Sequence, residues 1–183
     1  MTIKTLCILL ISMLPSVALA NNLTVGKNVP QVDVQSHGEL IIQDKDIVYQ
    51  AWRSSMMLGK VRVIQAMAGR SSAKKLNAPL MTAITAKKFP ASDYQTTTII
   101  NQDDSIWGTG GFVLSKAEDS KLEFSWSSLI VDEDGVVAKV WQLQESSSAI
   151  IVQDKTGNIL FIQEGSLNEN EIATVLTLIE QAI

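Results

Sequence analysis

The residues best placed to do chemistry are Gly69-Arg70-Ser71-Ser72, followed one turn later by Lys74 and Lys75. They sit where a buried strand, Val61 to Met67, gives way to a helical pattern. A glycine lets backbone approach a ligand closely, and an arginine presents a planar fork of donors. Two hydroxyls and two ammonium groups add to these. With the unpaired N–H groups of a helix start, the set suits a carboxylate, phosphate or sulfate group. The simpler alternative is that Ser71 or Ser72 caps the helix while the cations are solvated.

A second chemistry-bearing stretch is Asn101 to Gly111, a glycine-rich loop that follows a strand end. Such ends are where open α/β sheets bind their ligands. Trp107 among glycines suits a partner anchor; packing back onto the core is the plainer expectation. Asp103 and Asp104 are adjacent carboxylates with no helper ligands, a poor cation site. Asp132-x-Asp134-Gly135 resembles the start of a calcium loop but lacks the distal bidentate glutamate, so a hairpin turn is expected. His37 is the sole histidine. A zinc site and a serine triad are therefore poorly provided for, and no Gly-x-Ser-x-Gly elbow occurs.

These residues need elements to hold them. Met1 to Ala20 has a charged start at Lys4, an apolar run from Leu6 to Leu14, Pro15, and small residues up to Ala20. That order predicts a secretory signal peptide cleaved after Ala20. The apolar run is too short to span a bilayer, so no membrane insertion is expected after cleavage. The remaining 21–183 is of a size for one domain with a real core. Lys4 is the one charge removed, leaving 14 basic against 19 acidic side chains, a net of −5. An acidic balance disfavours nucleic acid as a partner. Cys7 is the only cysteine, and it leaves with the signal. Disulfides, thiol catalysis and cysteine metal sites go with it, and no metal or other cofactor is expected.

Along the remainder, Asn28 to Val34 alternates as an edge strand would, and His37-Gly38 reads as a turn into a short strand. Tyr49 to Leu58 is ambiguous. Val61 to Met67 is a buried strand. A helix is expected from Ser72 to about Lys87, with Leu76, Leu80 and Ile84 four apart, before Pro90 ends it. Thr96 to Ile100 is a β-branched central strand. Leu129 to Val137 and Ile150 to Leu160 read as hairpins. A last helix starts at Ser166 with Glu169 as a capping box, its stripe being Ile172, Val175, Ile179 and Ile183. The sum is an α/β sheet with helices on both faces.

That order, together with Gly59-Lys60-Val61-Arg62-Val63, Ala68 to Lys74, Tyr94 to Ile99 and Trp141-Gln142-Leu143, resembles the YtfJ family of small exported proteins of Gram-negative bacteria. The resemblance implies a thioredoxin-like fold and a periplasmic location, and supplies no reaction or catalytic residues. Redox members of that fold carry Cys-x-x-Cys where Gly69, Arg70, Ser71 and Ser72 stand here. Their cis-proline falls at Glu145 to Ala149, which contains no proline; a cis bond at a non-proline residue costs about 3 kcal/mol, so a trans path is expected. Two readings follow. The first is a redox-inactive module that binds a protein partner or a small anionic ligand through Gly69, Arg70, Ser71, Ser72, Lys74 and Trp107. The second is a non-thiol enzyme using Ser71 or Ser72 with His37 or an aspartate.

Overall fold

In the computed structural model, which describes residues 21–183, one seven-stranded sheet runs through the chain in the order β2-β1-β5-β4-β3-β6-β7. Its strands are β1 (Asp33–Gln43), β2 (Asp46–Arg53), β3 (Val61–Ala68), β4 (Tyr94–Asn101), β5 (Ser128–Asp132), β6 (Ser148–Gln153) and β7 (Ile159–Glu164). β3, β4 and β5 are mutually parallel, and β1 and β6 join them antiparallel. All eight side chains of β3 are buried, Arg62 and Gln65 among them, as its mostly apolar sequence predicts for a strand covered on both faces. The helices are α1 (Ser71–Leu76), α2 (Ala78–Lys87), α3 (Gly110–Glu123), α4 (Val136–Trp141) and α5 (Glu169–Ala182). Among the described residues no helix is long and apolar enough to cross a membrane. The segment expected to be a signal peptide lies outside the described residues.

One sheet face is closed by α4 and a short 3-10 turn at Ser54–Met57. There Trp52, Met57, Val137 and Trp141 pack on Ile64, Ala66, Ile99, Ile130 and Ile151. Arg62 ties the turn to the sheet, its Nε donating to Met57 O at 2.7 Å and its Nη1 to Thr97 Oγ1 at 2.9 Å. The opposite face carries two separate clusters. Leu80, Ile84, Val175 and Ile179 of α2 and α5 cover Val61, Val63, Ile150 and Val152. Val113 and Ala117 of α3 and Ala73 of α1 cover Leu40, Met67, Ile100, Leu129 and Val131. Helices thus lie on both faces, as expected.

Several expectations are corrected. The helix foreseen from Ser72 to Lys87 is two helices meeting at Asn77. Pro79 at the start of α2 forbids a continuous ladder, since its ring meets the carbonyl one turn back. Asn77 is buried and donates through Nδ2 to Ser148 Oγ and Gly165 O, both at 3.1 Å. The hairpin foreseen at Leu129 to Val137 is β5 turning into α4. The buried Asp132 carboxylate accepts from Val136 N at 3.0 Å and Val137 N at 2.7 Å, which starts a helix. Burial pushes that carboxyl up from the usual range, and the same N–H groups oppose the rise.

α3 was not foreseen in the sequence. Its buried stripe Val113, Ala117, Lys121 includes a lysine, whose Nζ donates to Ser125 O and Ser127 O. The capping box of α5 is Asn168 with Glu171, two residues beyond the Ser166 and Glu169 pair expected, with Glu171 N donating to Asn168 Oδ1 at 3.0 Å. Of the edge strand expected at Asn28 to Val34, only Asp33 and Val34 are strand, the start of β1, and β1 is interior because it pairs with β2 and, from His37 to Glu39, with β5. His37-Gly38 is a bulge inside β1 rather than a turn. Both residues have positive φ, 59° and 78°, and a Cβ at position 38 would collide with the Gln50 carbonyl. The hairpin at Ile150 to Leu160 stands as β6 and β7.

Candidate ligand cleft

The turn from β3 into α1 places Gly69, Arg70, Ser71 and Ser72, and its glycine answers to the neighbouring strand. Gly69 N donates to Asn101 O at 2.8 Å, and a Cβ there would stand 2.9 Å from that oxygen. Close approach of β4 is therefore the reason for glycine, where approach of a ligand had been expected. The Arg70 fork is also occupied. Its Nη2 lies 2.8 Å from Asp104 Oδ1, and its Nε donates to Asp104 Oδ1 and Asp104 O, both at 3.0 Å. The second oxygen of Asp104 accepts from Ser146 N, and Asp104 N donates to Asn101 Oδ1 at 3.2 Å. Asp103 meets Lys139 at 3.0 Å. The acidic pair therefore laces the ends of β3, β4 and the loop before β6, and is spoken for within the chain.

Capping by serine is likewise corrected. The N-cap of α1 is Arg70 without a side-chain bond, and Ser71 and Ser72 are exposed in the first turn of a six-residue helix. Trp107 does not pack on the core: it is 98% exposed, beside Ile106 at 59%. His37 stands in register with Asp132, Asp132 with Asn101, and Asn101 with Ala68. Three strand spacings, about 14 Å, thus separate it from the end of β3. His37 Nδ1 lies 3.0 Å from Glu133 Oε2, and its ring is edge-on to Tyr49. A dyad of Ser71 or Ser72 with His37 is not assembled, and Asp104 is engaged by Arg70 and Ser146.

What the sequence did not announce is a cleft of about 450 Å³ on the sheet face between the two apolar clusters. Its floor is the middle of the sheet: Gln65 and Met67 of β3, Thr96, Thr98 and Ile100 of β4, and Leu129 of β5. β4 is the central strand of seven, yet Thr96 and Thr98 are only half-buried. The reason is that α2 and α5 roof β3 and β6 while α3 roofs β5 and β1, with Ala73 of α1 joining the second cluster only at the end of β3, so the two roofs stop short of each other over the middle of β4. One wall holds Arg70, Ser71, Lys74 and Met81; the other holds Phe112, Lys116, Phe124 and Trp126.

Of the six candidate residues, Gly69, Arg70, Ser71 and Lys74 border this cleft. Ser72 does not contribute to its lining, and Trp107 points to solvent near its mouth. The ionisable side chains that line it, Arg70, Lys74 and Lys116, are all basic, in a chain whose overall balance is acidic. Lys116 Nζ meets Asp119 at 2.9 Å on its own helix and stands 5.7 Å from the centre of the Phe112 ring. Gln65 is 4% exposed and its Nε2 has no hydrogen-bond partner. Threonines at alternate positions 96 and 98 are compatible with a partly open central strand, since a fully roofed one is normally apolar on both faces, but they do not by themselves mark a cleft.

The fold and this turn define a protein of the thioredoxin-like class that lacks the thiols, its one cysteine being Cys7. A thiol-disulfide isomerase from Corynebacterium glutamicum superposes with a TM-score of 0.56 at 16% identity, over 85% of this chain and 96% of that one. The thioredoxin domain of a thiol-disulfide oxidoreductase from Bacteroides vulgatus gives 0.55 at 14% identity, over 88% and 99%. Within that class, the chain belongs to the family described as bacterial protein of unknown function (YtfJ_HI0045), whose model matches residues 23–182. It is 41% identical to the uncharacterized protein YtfJ of Escherichia coli strain K12 over the full length of both chains. It is 43% identical to an uncharacterized protein of Haemophilus influenzae over 87% of each.

Proposed function

We propose that this chain is an exported, redox-inactive binding module of the periplasm that holds a small organic anion in the cleft over β4. The observation that carries this reading is a cleft of about 450 Å³ whose ionisable lining is wholly basic, Arg70 and Lys116 being paired with Asp104 and Asp119 and Lys74 with no carboxylate among the described residues. That volume falls in the range of small-molecule sites, roughly 300–1,000 Å³. Residues 21–183 contain no cysteine, which removes the usual chemistry of the fold. Export rests on the charged, apolar and small-residue order of Met1 to Ala20; N-terminal sequencing of the protein from a periplasmic fraction should begin at Asn21.

Anilinonaphthalene sulfonate, itself an apolar anion, tests the cleft. One molecule should bind per native chain, and Lys74→Glu, an exposed substitution, should weaken it roughly tenfold. Saturation at several molecules per chain, or indifference to Lys74→Glu, would overturn the reading. A protein partner is the second reading, favoured by the 98% exposure of Trp107. Crosslinking in the periplasm should then capture a dominant partner that Trp107→Ala releases.

A further inference from the structure

The middle rung of the cleft adds a second recognition element to its cations. Gln65 and Thr98 are register partners on adjacent parallel strands, and both line the floor. Gln65 is nearly fully buried with its Nε2 unpartnered. An unpaired buried amide is costly, and native structures leave few. A half-turn of the amide exchanges its oxygen and nitrogen at no steric cost, so either end can face the cleft. A group that complements an amide in either orientation must carry both a donor and an acceptor, as a second amide does. Around this rung the cleft is apolar: Met67, Ile100 and Leu129 in the floor, and Met81, Phe112 and Trp126 in the walls. Lys74 and Lys116 stand on opposite walls.

We infer that the ligand is an apolar body bearing an amide next to a terminal carboxylate, with the amide on the Gln65 rung and the carboxylate held between the walls by Lys74 and Lys116. The inference rests on the anion-binding reading above and specifies its ligand. N-acyl amino acids and the C-terminal ends of short apolar peptides share this chemistry. Each part of the cleft then has one task. The apolar floor takes the body by exclusion of water. The lysines select for the acid, and the buried amide rejects analogues that cannot pair with it, because a site built to hydrogen-bond discriminates most strongly against a partner lacking the group.

Calorimetry on the purified protein separates these terms. N-decanoylglycine should bind about tenfold more tightly than dodecanoate, which keeps the acid and loses the amide. It should also bind more tightly than N-decanoylglycinamide, which keeps the amide and loses the charge. Gln65→Leu, close in volume and free of polar atoms, should abolish the first difference and leave the second. Lys74→Glu should abolish the second and leave the first. Acetyl-trileucine set beside N-decanoylglycine distinguishes the two sources, the tighter one naming the class. Equal binding of dodecanoate and N-decanoylglycine, or no binding of either amide acid, would overturn this inference. If anilinonaphthalene sulfonate still bound with its dependence on Lys74, the broader reading would stand; if that failed too, both would fall.

Discussion

Arg70 shows how little a side chain's type says about its task until its neighbours are known. As a lone arginine at a helix start it suits an anion, but its guanidinium is committed to Asp104, which also holds Ser146 N. The pair is only partly exposed, 31% for Arg70 and 14% for Asp104, so its charge-assisted bonds are little screened. Arg70→Ala should therefore destabilise the fold by about 1–2 kcal/mol, read as a lower urea midpoint at unchanged slope. Trp107→Ala should stay within about 0.5 kcal/mol, as for a side chain that touches little. An unchanged midpoint for Arg70→Ala would mean that its guanidinium is solvated after all.

At the level of elements, local patterning read the strongly periodic segments and missed the ones that depend on polar groups from elsewhere. β3, β4 and α5 were legible because β3 is mostly apolar, β4 is a run of β-branched residues, and burial on one face gives α5 a helical stripe. Val136 to Trp141 is rich in β-branched residues, and its first two, Val136 and Val137, fall in the hairpin expected from Leu129 to Val137. It is a helix because Asp132 satisfies its first N–H groups and because Val137 and Trp141, four apart, fall on one core-facing side. α3 was hidden by Lys121 at a buried position. The start of α5 offers a direct test of which capping box operates. Asn168→Ala should cost about 1 kcal/mol, whereas Ser166→Ala, earlier in the chain and exposed, should cost under about 0.5 kcal/mol, both by urea unfolding.

Across the molecule, the consequence of two helix roofs that do not meet is an unfilled stretch over the central strand. The two apolar clusters on that face are held apart there, and a bound apolar body would bridge them. Binding to the native state alone stabilises it by mass action. At a hundredfold excess over Kd the gain is about 2.7 kcal/mol, which for a chain of this size raises Tm by about 5–10 °C. Scanning calorimetry with saturating N-decanoylglycine should show that shift in the native protein and little of it in Lys74→Glu. A shift of equal size in both would place the ligand outside the cleft.

By itself the sequence determined that Cys7 is the one cysteine, the α/β class, the buried strands and the family likeness, because composition and short-range periodicity are properties of neighbouring residues. It named four residues of the cleft border, Gly69, Arg70, Ser71 and Lys74, though for an anion site at a helix start that Arg70 and Asp104 close off. Only the tertiary structure decided what those residues do. Arg70 meets Asp104 across 34 positions of chain, and Asn77 meets Gly165 across 88. The cleft joins side chains from β3, β4, β5 and three helices. A gap between two roofs is a property of how elements are spaced over a sheet, and no local pattern of residues records it.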